Sequence, residues 1–385
     1  MTKFGDRYGS YQIGDVKTYS RYELMDLYRD SPQEWKWQYN DNFFNSHNWT
    51  IEPKESIDDL YRKRAEQLRQ EYDYLILYYS GGYDSVNILN AFLDNNIHID
   101  EICVFYSRFD TVSNQYKELK TVTWDKFKKL KEKYSNIIFR EIDYADYFFI
   151  WDKQIESLNL RKDLLYMFGA ALSVNHLVTD LLFKQINDWK QLLNNGKKLA
   201  WVQGVDKPQL RYYNNQWIFN FHDGLTQVNI TPMRQMIDDG KIGTYEFFYW
   251  GVSTEAANIL IKQCHLLKKF YNEQAHNDFS KIEGAKSYKK GYGWEVDKMS
   301  LPYVKTIYPR LFKGDEKYFV EKNVFHIWGN RDQWFFNSSY PGSDVHWQMY
   351  QSLFEKNKAH YRNWYNDGLS IDSGFKNAMS CDYII

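Results

Sequence analysis

Tyr74-Leu75-Ile76-Leu77-Tyr78-Tyr79-Ser80-Gly81-Gly82-Tyr83-Asp84-Ser85-Val86-Asn87-Ile88-Leu89 decides how this chain is read. Its first six residues are an unbroken apolar run, too short for a helix of its own and without alternation, as a strand covered on both faces requires. The run stops at Ser80-Gly81-Gly82. From Asp84 to Leu93, Val86, Leu89 and Phe92 or Leu93 recur at helical spacing, which predicts a helix packed on a sheet. The loop between them delivers the chain into a helix N-terminus, where backbone N–H groups lack intrahelical acceptors and the helix dipole is positive. Strand, glycine loop and helix together form an anion site. Gly81 and Gly82 allow close backbone approach to a phosphate, and Ser80 and Ser85 add hydroxyl donors. Asp84 disfavours a bare phosphate and implies a cation, Mg²⁺, between protein and polyphosphate. A bare Ser-Gly-Gly would be an ordinary turn; the flanking strand and helix give it meaning.

Outward from this unit the β/α pattern continues. Ile102–Tyr106 is expected as a second strand after the polar loop His98–Asp100, a helix covers about Gln115–Tyr134, and Asn136–Ile142 follows as a third strand. Helical segments within Leu164–Leu193 lead to a fourth strand, Lys198–Gln203. The alternation predicts an α/β fold with a doubly wound, mainly parallel sheet, ending near Phe221. Upstream lies a polar, aromatic extension, residues 1–70, with helical patches at Tyr22–Asp30 and Ile57–Gln70 and a capping pair, Ser56 and Asp59, before the second. Residues 71–225 form the α/β domain. Within its end, Arg211–Phe219 reads as a hairpin turning at Asn214-Asn215. Residues 226–385 are a mixed, aromatic-rich lobe, with a clear helix over 255–271, expected to shape the substrate pocket.

Ser80-Gly81-Gly82-Tyr83-Asp84-Ser85 after Leu75-Ile76-Leu77-Tyr78-Tyr79 resembles the signature of the PP-loop ATP pyrophosphatases, the adenine nucleotide α-hydrolase group with a HUP-type fold. That group includes asparagine and GMP synthetases, tRNA lysidine synthases, thiouridylases, queuosine-precursor nitrile synthases and phosphoadenylyl sulfate reductases. The resemblance spans residues 70–225 and implies an enzyme that splits ATP between its α and β phosphates. It places the pyrophosphate portion on Ser80, Gly81, Gly82, Tyr83, Asp84 and Ser85, and adenine beside Val104, Phe105 and Tyr106. Gln203-Gly204-Val205-Asp206-Lys207-Pro208 follows the fourth strand and so reaches the carboxyl edge of the sheet, where open α/β sheets bind ligands. There Gly204 permits a tight turn beside the nucleotide, Asp206 is a candidate to share the metal with Asp84, and Lys207 is a candidate to neutralise the leaving pyrophosphate. This Gly-x-Asp-Lys-Pro segment, Phe248-Tyr249-Trp250 and the Ile261–Tyr271 helix also resemble segments of uncharacterised phage proteins of the group.

The implied reaction is adenylation of an acceptor in nucleotide, nucleobase or tRNA modification, with pyrophosphate released and AMP then displaced by nitrogen or sulfur. The acceptor, a small molecule or a nucleic acid, is not specified, nor is the oligomeric state. Three scattered cysteines, Cys103, Cys264 and Cys381, exclude the four-cysteine zinc cluster of the nitrile synthases and a disulfide framework. Cys381 keeps open a sulfonucleotide reductase-like or sulfur-transfer reading, although Asp382 beside it opposes thiolate formation. A non-catalytic nucleotide- or nucleic-acid-binding protein is a third reading, with Trp334-Phe335-Phe336 and Trp347–Tyr350 as stacking residues. His222 and His265 read as structural. A net charge of −1 provides no overall field for a polyanion. No apolar stretch reaches the roughly 20 residues of a membrane helix, and Met1–Asp15 carries no targeting pattern. These features predict a cytoplasmic protein, in the host cytoplasm if viral.

Overall fold

The structure, a computed structural model, describes residues 8–19, 21–106, 108, 119–143, 146, 186–204, 207–221, 243–276, 278, 285–287, 294–296, 301–312 and 379–385. It opens on a small antiparallel sheet of β1 (Ser10–Ile13), β2 (Val16–Thr18) and β3 (Trp35–Gln38), ordered β2-β1-β3, with helices α1 (Arg21–Asp30) and α2 (Asp41–Asn45). Helix α3 (Ile57–Glu71) follows, and Ser56 caps it as expected, its Oγ accepting from Asp59 N at 3.1 Å. Asp59 Oδ2 in turn accepts from the Ser56 hydroxyl at 2.6 Å.

Next come β4 (Tyr74–Tyr78), α4 (Tyr83–Leu93), β5 (Glu101–Tyr106), a π-helical turn (Leu119–Thr123), α5 (Trp124–Lys133), β6 (Ile138–Asp143), α6 (Asn187–Asn194) and β7 (Leu199–Gln203). Beyond them lie β8 (Leu210–Tyr213), β9 (Gln216–Phe219), β10 (Thr244–Phe247), α7 (Thr254–Ala275), β11 (Ala285–Ser287), β12 (Trp294–Val296), α8 (Leu301–Ile307), a 3₁₀ turn (Pro309–Phe312) and β13 (Tyr383–Ile384). The central sheet is all parallel, in the order β10-β7-β4-β5-β6. Every residue of β7 is buried, and β5 is buried up to Tyr106. Strand side chains alternate between faces, so Glu101 and Tyr106, five apart, lie on opposite sides of the sheet. Trp189 of α6 donates to Glu101 at 3.0 Å, while the Trp124 ring of α5 meets Tyr106 edge-on at 5.4 Å. Helices thus cover both faces, which is why these strands are continuous apolar runs.

The chain passes from β4 to β5 and β6 on one side, whereas β7 and β10 build outward from the other side of β4. The strand order thus reverses between β4 and β7, and the carboxyl edge at such a switch point is where sheets of this class have their ligand crevice. After β7 the hairpin interrupts the alternation among the described residues, but the parallel sheet does not end there: a fifth strand, β10, pairs Thr244 with Ala200 and Phe247 with Gln203. Only four residues long and holding Glu246, it lacks the apolar run that marks its neighbours. Glu246 is tolerated because Arg64 of α3 pairs with it at 2.8 Å, both side chains 1% exposed.

The expected hairpin forms β8 and β9, with Asn214 and Asn215 at φ 49° and 62°. It belongs to a second five-stranded sheet, ordered β11-β12-β8-β9-β13, whose last strand pairs Tyr383 with Phe219. Trp49 stacks on both Phe219 and Tyr383, tying the early segment to this sheet. Among the described residues no helix is long and apolar enough to cross a membrane. Of the helical segments expected within 164–193, α6 is the described part, and residues 164–185 fall outside the described residues together with the aromatic runs 334–336 and 347–350.

Candidate functional site

Ser80–Gly82 connect β4 to α4, and Gly82 in extended conformation (φ −74°, ψ 170°) is the last residue before the helix. No side chain caps this end. The serines instead shape the loop from within: Ser80 N donates to Ser85 Oγ at 3.3 Å, Gly82 N to Ser80 Oγ at 3.3 Å, and the Ser85 hydroxyl to Gly82 O at 3.1 Å. Thr123, at the end of the π-helical turn, donates from Oγ1 to Ser80 O at 2.5 Å. Gly81 has φ +73°, and a Cβ on it would lie 2.9 Å from Thr123 Cα. Both facts demand glycine.

Gly196 supplies a control, since it has the same φ of +73° but nothing within 4 Å of an added Cβ. Gly196→Ala is expected to cost about 1–2 kcal/mol for the left-handed backbone. Gly81→Ala should cost about 1–3 kcal/mol more, from the forced contact with Thr123. Urea unfolding of the two variants measures the difference; equal losses would show that Thr123 is not packed on the loop.

Asp84 sits in the first turn of α4, and three groups fix it. Lys207 Nζ lies 2.8 Å from Oδ2, the Tyr308 hydroxyl donates to Oδ1 at 2.5 Å, and the Tyr249 hydroxyl donates to the Asp84 carbonyl at 3.0 Å. Asn87, one turn along, donates from Nδ2 to the Tyr249 oxygen at 3.0 Å. Lys207 is 4% exposed, with its charge set against the helix start. Burial, and then the negative charge of Asp84, push the Tyr308 hydroxyl well above the usual tyrosine range. Burial first, then Tyr61 and Asp84, does the same for Tyr249. Both phenols therefore stay protonated and keep their donor roles at any physiological pH.

Lys207 reaches Asp84 because β7 lies beside β4, with Ile76 opposite Trp201, so the segments leaving both strands meet at the crevice. Gly204 makes the approach feasible: a Cβ there would stand 2.8 Å from Asp84 Cβ and 3.0 Å from Ile88 Cδ1. The structure thus brings together Ser80, Gly81, Gly82, Asp84, Ser85, Gly204 and Lys207. Tyr83 turns from the loop toward the 3₁₀ turn, its ring 5.6 Å from Phe312. Val104 and Phe105 are buried, and the Phe105 ring packs on Tyr78 and Trp201, so Tyr106 is the half-buried side chain at the end of β5. Asp206 and His222 lie outside the described residues. His265 is structural, with Nε2 2.9 Å from Trp49 O, and burial lowers its pKa. Cys381 is held to α2 and the second sheet, its sulfur donating to Asn45 Oδ1 at 3.4 Å and its carbonyl accepting from Asn220 at 3.0 Å.

Tyr308, Tyr249, Asn87 and Thr123 were not legible as site residues. Only Tyr249 carried a signal, as the centre of Phe248-Tyr249-Trp250. Among the described residues no three His, Cys, Asp or Glu side chains group to hold a metal by themselves. The one carboxylate at the loop, Asp84, could hold a Mg²⁺, an ion that binds through one or two carboxylates and keeps several waters. No protein-family model matches the chain, and no curated protein matches it.

Proposed function

We propose that the chain is an ATP pyrophosphatase that adenylates an acceptor, with the ATP phosphates on Ser80–Ser85. The observation that carries this reading is Lys207, a 4% exposed lysine delivered from the neighbouring strand to Asp84 at the N-terminus of α4. A cation and a carboxylate at one helix start, inside the crevice between β4 and β7, match the needs of a polyphosphate with its metal.

Asp84 would hold Mg²⁺, which would supply neutralisation of phosphate charge, and the Ser80 and Ser85 hydroxyls would donate to the phosphates. Lys207 would leave Asp84 Oδ2 for an oxygen of the pyrophosphate. An acceptor oxygen attacks the α-phosphorus, the bond from that phosphorus to the α,β-bridging oxygen breaks, and pyrophosphate leaves with the electron pair. Negative charge grows on that leaving group, where Lys207 and the first-turn N–H groups of α4 stabilise it most. A nitrogen or sulfur nucleophile then displaces AMP from the adenylate.

Product analysis tests this. Purified protein given ATP, Mg²⁺ and a mixture of cell metabolites or tRNA is expected to release pyrophosphate and AMP. ADP and phosphate as products would overturn cleavage between the α and β phosphates. Nucleotide binding with no product would favour the non-catalytic alternative.

A further inference from the structure

One segment from outside the β4–β7 region touches Asp84 and the residue that follows Lys207. Residues 301–312, α8 and its 3₁₀ turn, place Tyr308 on Asp84 Oδ1 at 2.5 Å and direct the Tyr303 hydroxyl onto the carbonyl of Pro208, the residue after Lys207. Both tyrosines are fully buried. The segment is itself anchored: Tyr61 of α3 donates to Ile307 O at 2.7 Å, and Arg310 pairs with Asp58 at 2.8 Å. We propose that residues 301–312 act as a positioning clamp for the polyphosphate site, with Tyr308 setting the Asp84 carboxylate and Tyr303 setting the backbone that aims Lys207. Neither hydroxyl touches phosphate; each works through its partner. The clamp rests on the reading of Ser80–Ser85 as a polyphosphate loop.

The two phenols reach the two sides of the pair from one short segment, Tyr303 from within α8 and Tyr308 from the residue that follows it. Tyr308 occupies one carboxylate oxygen and leaves the other to Lys207. Tyr303 limits the travel of residues 207–208, so the ammonium stays within reach of both Asp84 and the loop. Without these contacts Asp84 and Lys207 would remain, but over a wider range of geometries, and a site that depends on placement loses affinity and rate together.

Calorimetric binding of inorganic pyrophosphate and of ATP, each with Mg²⁺, tests the clamp in the full chain. Tyr308→Phe and Tyr303→Phe keep the rings and remove only the hydroxyls. Each is expected to weaken pyrophosphate binding about tenfold, in keeping with one hydrogen bond to or beside a charged group. The distinguishing measurement is a double-mutant cycle: Tyr308→Phe should change affinity less than about twofold in an Asp84→Ala background, where its acceptor is gone, and Tyr303→Phe likewise in Lys207→Met, because the partner acted through has been removed. A purely structural role predicts additive losses. Wild-type affinity in both Phe variants, or full additivity in both cycles, overturns the clamp while leaving the loop assignment in place. If the wild-type chain binds neither ATP nor pyrophosphate, the loop assignment fails and the clamp with it. Should one Phe variant unfold at the assay temperature, the other cycle decides alone.

Discussion

Asp84→Asn is expected to lower Mg²⁺-dependent pyrophosphate release from ATP by about two to three orders of magnitude, the scale on which removing one well-placed electrostatic group slows a reaction. Asparagine keeps the size of the side chain and can still accept from Tyr308 and Lys207, so circular dichroism should show a folded protein, with its melting temperature lowered by loss of the charge opposite Lys207. Alanine is the poorer test: it also removes the hydrogen-bond acceptor that Lys207, 4% exposed, and Tyr308 meet, and loss of activity could then follow from loss of structure. Lys207→Met provides the complementary result. Because its cation helps most when charge develops on the leaving group, turnover should fall further than nucleotide affinity. Unchanged pyrophosphate release in Asp84→Asn would remove Asp84 from the reaction. An effect of Lys207→Met confined to affinity would reassign Lys207 to ground-state binding.

Glu246→Leu is expected to be the most destabilising single substitution proposed, by about 3–5 kcal/mol, since it leaves the Arg64 guanidinium buried without its counter-charge. Arg64 also donates to Phe247 O and Phe248 O, both at 3.2 Å, and to Gln67 and Ser253, while Tyr72 donates to Glu246. The pair therefore joins α3 to the end of β10 and to the turn that holds Tyr249, the residue bonded to the Asp84 carbonyl. Loosening that turn should weaken pyrophosphate binding as well as stability. In the Arg64→Met/Glu246→Leu double variant no charge is left unpaired, and much of the lost stability should return. Urea denaturation of the three proteins checks this, and a double variant no more stable than Glu246→Leu would show that the hydrogen bonds of Arg64, not its charge balance, hold the turn.

Local signals in the sequence determined the strand–loop–helix unit at Tyr74–Leu93, the strands β5, β6 and β7, the Ser56 cap and the paired asparagines of the hairpin. Each of these is written in a few adjacent residues: an apolar run, a helical period, a cap, or a turn that tolerates positive φ. Gly204 and Lys207 were visible as candidates because they directly follow a readable strand. Strand order, the membership of β10 and the convergence on Asp84 were decided only by the tertiary structure. β10 is a four-residue strand whose Glu246 is neutralised by an arginine 182 residues away, so its own composition does not announce it. Tyr308 meets Asp84 across 224 positions, and Tyr249 does so across 165. A tyrosine in an aromatic-rich chain looks the same whether it fills a core or orients a carboxylate. The difference lies in what its hydroxyl meets, and that is set by how the sheet, α3 and α8 pack around the crevice.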